Sequence, residues 1–156
     1  MILGRHSLPA CKEIQMAKKA YPAHPAVPIS QAVRAGDFVF TSAYGPWTFD
    51  PKNVVFDAEG NVIDDGSGNK NVPFAEQVHL TFGFVRDALA VAGCTLDDVV
   101  DCQCWLTDPR DFVAFNEIYR TYFTKDPPVR SVFPIRFMFD VKVEIKVTAY
   151  KPLPTP

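Results

Sequence analysis

From Val141 to Tyr150 the side chains alternate, with Val141, Val143, Ile145, Val147 and Ala149 on one side and Lys142, Glu144, Lys146, Thr148 and Tyr150 on the other. Successive residues of a strand point to opposite faces, so this period demands a strand with one face in a core and one face outside it. Val99 to Leu106 repeats the pattern, setting Val100, Cys102, Cys104 and Leu106 against Asp101, Gln103 and Trp105. A chain with two such strands must cover one face of a sheet.

Two segments of helical period supply that cover. Asn71-Val72-Pro73 reads as a start, with Asn as cap, Pro near the first helical position and Glu76 in the first turn. Val78, Phe82, Val85, Leu89 and Ala92 then recur every three or four residues, and Gly93 ends the run as a residue that accepts positive φ. Asp108-Pro109 opens a second helix, striped by Phe112, Phe115, Tyr119 and Tyr122 and stopped by Asp126-Pro127-Pro128.

Around these lie a hairpin from Ile29 to Tyr44, turning at Ala35-Gly36-Asp37, and a strand from Val129 to Met138. Residues 1–27 form an N-terminal leader whose one local pattern is a helical turn over Lys12–Ala20. Residues 47–72 are rich in turn formers around one short apolar run, Asn53–Phe56, and form an excursion from the domain that carries a small hairpin. The order of elements, with too few helices for a doubly wound sheet, implies an α+β fold in one domain over 28–156, two helices packed on one face of the sheet. The other face keeps Trp105, Tyr150 and the polar alternates, and self-association would cover it.

Composition narrows the function. With 47% hydrophobic and 22% charged residues the chain buries a core, and its formal net charge of −2 gives no basic stripe for a polyanion, which weighs against nucleic acid as a partner. No stretch approaches the roughly 18 apolar residues of a membrane span and no apolar leader opens the chain, so a cytoplasmic protein with no membrane partner is expected. His6, His24 and His79 stand apart from one another, which predicts no metal site. Cys11, Cys94, Cys102 and Cys104 are expected as free and mostly buried thiols, with Cys102 and Cys104 on the apolar side of their strand. No phosphate loop, nucleophile elbow or dinucleotide fingerprint is present. There remain Arg130 and Glu144, on what the alternation presents as the polar side of the last two strands. By themselves they are ordinary strand charges.

The motifs around them resemble a family. Pro28-Ile29-Ser30-Gln31-Ala32-Val33 with Gly36-Asp37-Phe38-Val39-Phe40-Thr41-Ser42 is similar to the opening hairpin of the reactive intermediate deaminases, the Rid family. Gln77, Ala92-Gly93-Cys94-Thr95-Leu96-Asp97-Asp98-Val99-Val100, Asp111-Phe112, Phe115-Asn116-Glu117-Ile118-Tyr119, Pro128-Val129-Arg130-Ser131 and Val143-Glu144-Ile145 follow in the family's order. The resemblance implies a chorismate-mutase-like fold, a homotrimer with inward-facing sheets, and sites in the clefts between subunits. It implies hydrolysis of enamine or imine carboxylic acids to ammonia and an oxo acid, with no cofactor. Arg130 would hold the substrate carboxylate and Glu144 would orient water, Ser42 and its neighbours would line the cleft, and Asn116 would approach from the adjoining subunit.

Three residues depart from the family pattern: Ile29 replaces a tyrosine, Ala43 a glycine and Val132 a cysteine. The long excursion, whose base carries Trp47 and Phe49, suggests a pocket mouth reshaped for a larger substrate, and the resemblance implies 2-aminomuconate, deaminated by some relatives, as a candidate. Two other functions fit the same residues. One is a non-catalytic protein that binds a 2-oxo acid; the other, disfavoured by charge, is an RNA-cleaving or translation-inhibiting role.

Overall fold

The computed structural model describes residues 18–23, 28–46, 55–64 and 71–153. Its framework is a six-stranded sheet in the order β1-β2-β3-β8-β6-β7. The strands are β1 (Lys18–Pro22), β2 (Ser30–Ala35), β3 (Phe38–Thr41), β6 (Val99–Leu106), β7 (Val129–Pro134) and β8 (Val143–Tyr150). All neighbours run antiparallel except β6 and β7, which are parallel and joined through α2 (Phe112–Tyr122). α1 (Phe74–Ala90) packs on β8 and on α2. The expected small hairpin within the excursion is β4 (Val55–Phe56) paired with β5 (Val62–Asp64), whereas Trp47 and Phe49 lie outside the described residues.

The alternation in β8 is realised as read, with Val143, Ile145, Val147 and Ala149 each fully buried. Phe82 from α1 joins them to α2. Its ring stacks on Tyr122 at 3.9 Å between centroids, with Tyr119 and Phe123 at 6.1 and 6.0 Å. Truncating such a ring costs about 3–5 kcal/mol, which makes this cluster a seam between α1 and α2. His79 ties the same helices at the surface, its Nδ1 lying 2.7 Å from the Tyr122 hydroxyl.

Several expectations are corrected. The leader's Lys18–Ala20 is strand, not helical turn; it pairs with β2, whose own hydrogen-bonding edge needed a partner, and the remainder of that turn is outside the described residues. Asn71 does not cap α1, because Pro73 takes the N-cap position without a side-chain cap. Val100 is exposed rather than in the core, since an irregularity in the β6–β8 register between Val99 and Asp101 turns Val99 inward instead. Phe112 is 42% exposed and drops out of the α2 stripe, leaving Phe115 and Tyr119 buried. β7 stops at Pro134 and β8 starts at Val143, both inside the limits read from sequence. α1 stops at Ala90 with Val91 as its C-cap, two residues short of the expected run to Ala92, and Gly93 takes φ +74° just beyond, where the Cys94 N–H donates to the Leu89 carbonyl.

The open face is more aromatic than the alternation suggested. Phe38 and Tyr150 sit 5.2 Å apart there, and Phe40 and Phe133 are 42% and 50% exposed.

Gln77 is the polar pin of the core. Fully buried, it donates from Nε2 to the Val72 carbonyl at 3.0 Å and accepts at Oε1 from the Lys142 N–H at 2.9 Å, fastening the start of α1 to the approach to β8. Leaving a buried donor or acceptor unmatched costs roughly 1–3 kcal/mol. Gln77→Ala is therefore expected to lower unfolding stability by about that amount in urea titration, without changing the secondary structure seen by circular dichroism.

Candidate active site

Arg130 lies on the edge strand β7, level with Cys102 of β6, which in turn is level with Val147 of β8. Residues directly opposite across strands share a face, so Arg130 inherits the helix side of the sheet from the buried Cys102. Beyond the sheet edge its guanidinium carbon rests 4.5 Å from the centre of the Tyr119 ring, with Phe115 and Phe112 at 5.7 and 5.9 Å. Aromatic faces attract a guanidinium and hold it in plane. No hydrogen bond or ion pair occupies its N–H groups among the described residues. A half-buried arginine with stacked faces and free donors is prepared for an anion.

The space in front of it is a concavity of about 450 Å³. Asn116, Tyr119, Arg120 and Phe123 line it from α2 and its end, and Pro127, Pro128 and Arg130 close the opposite wall. The prolines that stop the helix thus become part of the site. Asn116 is half-buried and reaches this cavity in the same chain as Arg130, where the resemblance implied an approach from a neighbour. Beneath the floor, Cys102 and Cys104 are fully buried with sulfurs 3.6 Å apart, and Cys94 is likewise free. The contact with Cys102, followed by burial, pushes the Cys104 thiol far up, which keeps it protonated and unreactive. Burial likewise pushes the Tyr119 hydroxyl up.

Glu144 stands elsewhere. It is level with Trp105, which is level with Phe133, so it belongs to the open face. Arg130 and Glu144 were expected on one polar side; the parallel register of β7 puts the sheet between them. Glu144 is half-buried, and desolvation raises its pKa above the usual carboxylate value.

The remaining candidates divide by strand. Val132 lies two residues along β7 on the same side as Arg130 and packs on the core; with Leu106, Pro109, Phe112, Phe133 and Pro134 it lines an adjoining hollow of about 270 Å³. Ser42 and Ala43 follow β3, where the five residues from Phe40 to Tyr44 stand opposite only four of β8, from Thr148 to Ile145. In that bulge the Thr41 hydroxyl replaces a ladder bond, donating to the Val147 carbonyl at 3.2 Å and accepting from its N–H at 3.0 Å. Ser42 is held by its hydroxyl to the Ser30 carbonyl at 2.8 Å, while Ala43 and Ile29 are exposed. Two strands, β8 and β6, lie between β3 and β7, so one chain gathers Arg130, Asn116 and Val132 but leaves Ser42, Ala43, Ile29 and Glu144 apart from them.

Comparison with known proteins decides the family. The family model described as Endoribonuclease L-PSP matches residues 19–151, and RutC family proteins are among the relatives. The chain belongs to the Rid family. A RutC family protein of Saccharolobus solfataricus is 36% identical over 141 residues, spanning 90% of this chain and 98% of its own. TdcF of Escherichia coli, named as a candidate reactive intermediate deaminase, is 27% identical over 80% of this chain and 87% of its own. The crystal structure of RidA from an Antarctic Psychrobacter superposes with a TM-score of 0.62 at 26% identity, covering 84% of this chain and 94% of that one. The Rid match starts inside β1, in keeping with that strand's place in the sheet.

Sequence reading missed Tyr119 and Arg120 as cavity residues of this Rid chain. The signal was present in the spacing, because Arg120 follows Asn116 by four residues and shares its side of α2. Among the described residues no group of three potential ligands gathers for a metal ion, and no helix is long and apolar enough to cross a membrane.

The raised pKa of Glu144 has a signed consequence. Its ionised form is disfavoured in the folded state, so folding gains from protonation at low pH and loses that gain as pH rises through the unfolded value and on to the folded one. Glu144→Gln is expected to melt higher than the unsubstituted protein at pH 7, with the difference shrinking to nothing near pH 3. Thermal melts of both across that range check it.

Proposed function

We propose that this Rid protein is a hydrolytic deaminase of enamine and imine carboxylic acids. The observation that carries the reading is Arg130, a stacked, half-buried guanidinium with no anion beside it among the described residues, at the wall of a cavity of ligand size. The name of TdcF points to the same reaction class for a relative.

Arg130 would take the substrate carboxylate through paired N–H donors, charge-assisted bonds worth roughly 1.5–3 kcal/mol each. Held there, the neighbouring carbon of an imine is already electrophilic. Water adds to that carbon, the carbinolamine loses ammonia, and an oxo acid remains. The protein's task is to hold the carbon, exclude stray water and accept a proton from the attacking one. Glu144 suits the last step because a carboxylate made more basic by burial takes a proton more readily near neutral pH.

Since the sheet separates Arg130 from Glu144 in one chain, the complete site is proposed to form where the open aromatic face of one copy meets the β7 edge of the next. A homotrimer of such contacts would also bring Ser42 and Ala43 to the cavity. The cavity admits acids larger than a three-carbon imine, and 2-aminomuconate is a candidate of that size. A second reading, binding of a 2-oxo acid without catalysis, draws on the same separation, because one chain has an anchor and no base beside it.

Arg130→Ala is expected to abolish ammonia release from 2-iminopropanoate and from 2-aminomuconate while leaving the mass in light scattering unchanged. Retention of most activity on both substrates would refute the assignment. No ammonia from either with the unsubstituted protein, alongside 2-oxo acid binding by calorimetry, would establish the binding reading. Reassembling inactive Arg130→Ala chains with inactive Glu144→Gln chains should restore part of the turnover, as only sites that draw these residues from different chains can recover.

A further inference from the structure

The cavity in front of Arg130 holds a second guanidinium that the reaction above does not use. Arg120 projects from the side of α2 that carries Asn116, one helical turn away, and lines the same wall. Among the described residues it has no ion pair, not even with Glu117 on its own helix. Among the described residues no Asp or Glu lines the cavity. A chain of net charge −2 thus places two arginines without an ion pair among the described residues, Arg130 half-buried and Arg120 exposed, around one hollow. The rest of the lining is Asn116 and apolar groups, the rings of Tyr119 and Phe123 and the paired prolines 127 and 128.

A ligand that matches this lining has an anionic group at each end and a carbon chain between. A monocarboxylate satisfies Arg130 and leaves Arg120 unneutralised at its side; a dicarboxylate neutralises both. We propose that Arg120 is a specificity-determining anchor for a distal carboxylate, so that the substrates of this site are unsaturated amino or imino dicarboxylic acids. The proposal rests on the reading of Arg130 as the anchor of the first carboxylate. Arg120 touches the remote end of the substrate and takes no part in the bond changes.

The test is the ratio of two affinities, measured by calorimetry with the stable oxo acids 2-oxoadipate and 2-oxobutanoate. The unsubstituted protein should prefer the diacid by on the order of tenfold or more, as expected for one added charge-assisted contact. Arg120→Gln should collapse the preference toward unity, and Arg120→Lys, which keeps the charge without the fork, should retain part of it. Equal affinity of the unsubstituted protein for the two acids, or a preference undiminished in Arg120→Gln, would overturn the assignment. Arg130→Ala separates this from failure of the underlying reading. Loss of both acids upholds the first anchor, while binding of both at full strength would remove the carboxylate site itself and Arg120's role with it. Because only binding is read, absence of turnover leaves the outcome decisive.

Discussion

β6 is paired along both edges, antiparallel to β8 and parallel to β7, and everything else in the molecule hangs on that double pairing. It sets Cys102 level with Val147 on one side and with Arg130 on the other, so the side of the sheet that Arg130 occupies is decided by two buried neighbours rather than by its own polarity. A one-residue slip of β7 would turn Arg130 to the open face and Ser131 toward α2. The parallel direction also requires a crossover, and α2 is that crossover, which is why the helix whose rings bed the guanidinium lies directly over it.

What sequence revealed and what it hid follow from the range of the interactions. β8, β6 and both helices were legible because their periodicity is local and strong, and Gly93 was legible because only a few residue types tolerate its φ. β1 was not, since Lys18-Lys19-Ala20 has no apolar alternation and becomes strand only because β2 offers an edge. The irregularity that turns Val100 outward was hidden for the same reason: register is a property of pairs of strands. Of the site, motif resemblance singled out Arg130 and Asn116, which one chain does bring together, but it carried no information on which face of the sheet each residue would take. Arg120 escaped because it belongs to no motif and acquires meaning only from the cavity it shares.

The polar and apolar parts of the fold divide their labour. The aromatic seam around Phe82 holds α1 to α2, yet it is Gln77 and the Thr41 hydroxyl, both buried, that fix where the connecting segments attach. Directional bonds of this kind add little net stability but penalise alternatives heavily. Ser42 and Ala43 owe their positions to the Thr41 bulge, as Lys142 owes its own to Gln77.

The sheet ends differently on its two flanks. On one flank β1 carries Lys18, Lys19 and Pro22, residues that discourage any further strand from adding. On the other, β7 has Val129 at 70% and Phe133 at 50% exposure, with Pro134 only at its last position. Main-chain groups along that border remain open to another chain, with a hydrophobic fringe beside them. The molecule therefore has a guarded edge and an adhesive one. Strand addition is disfavoured on the β1 side, so pairing through the β7 border favours a capped pair over a continuous ribbon.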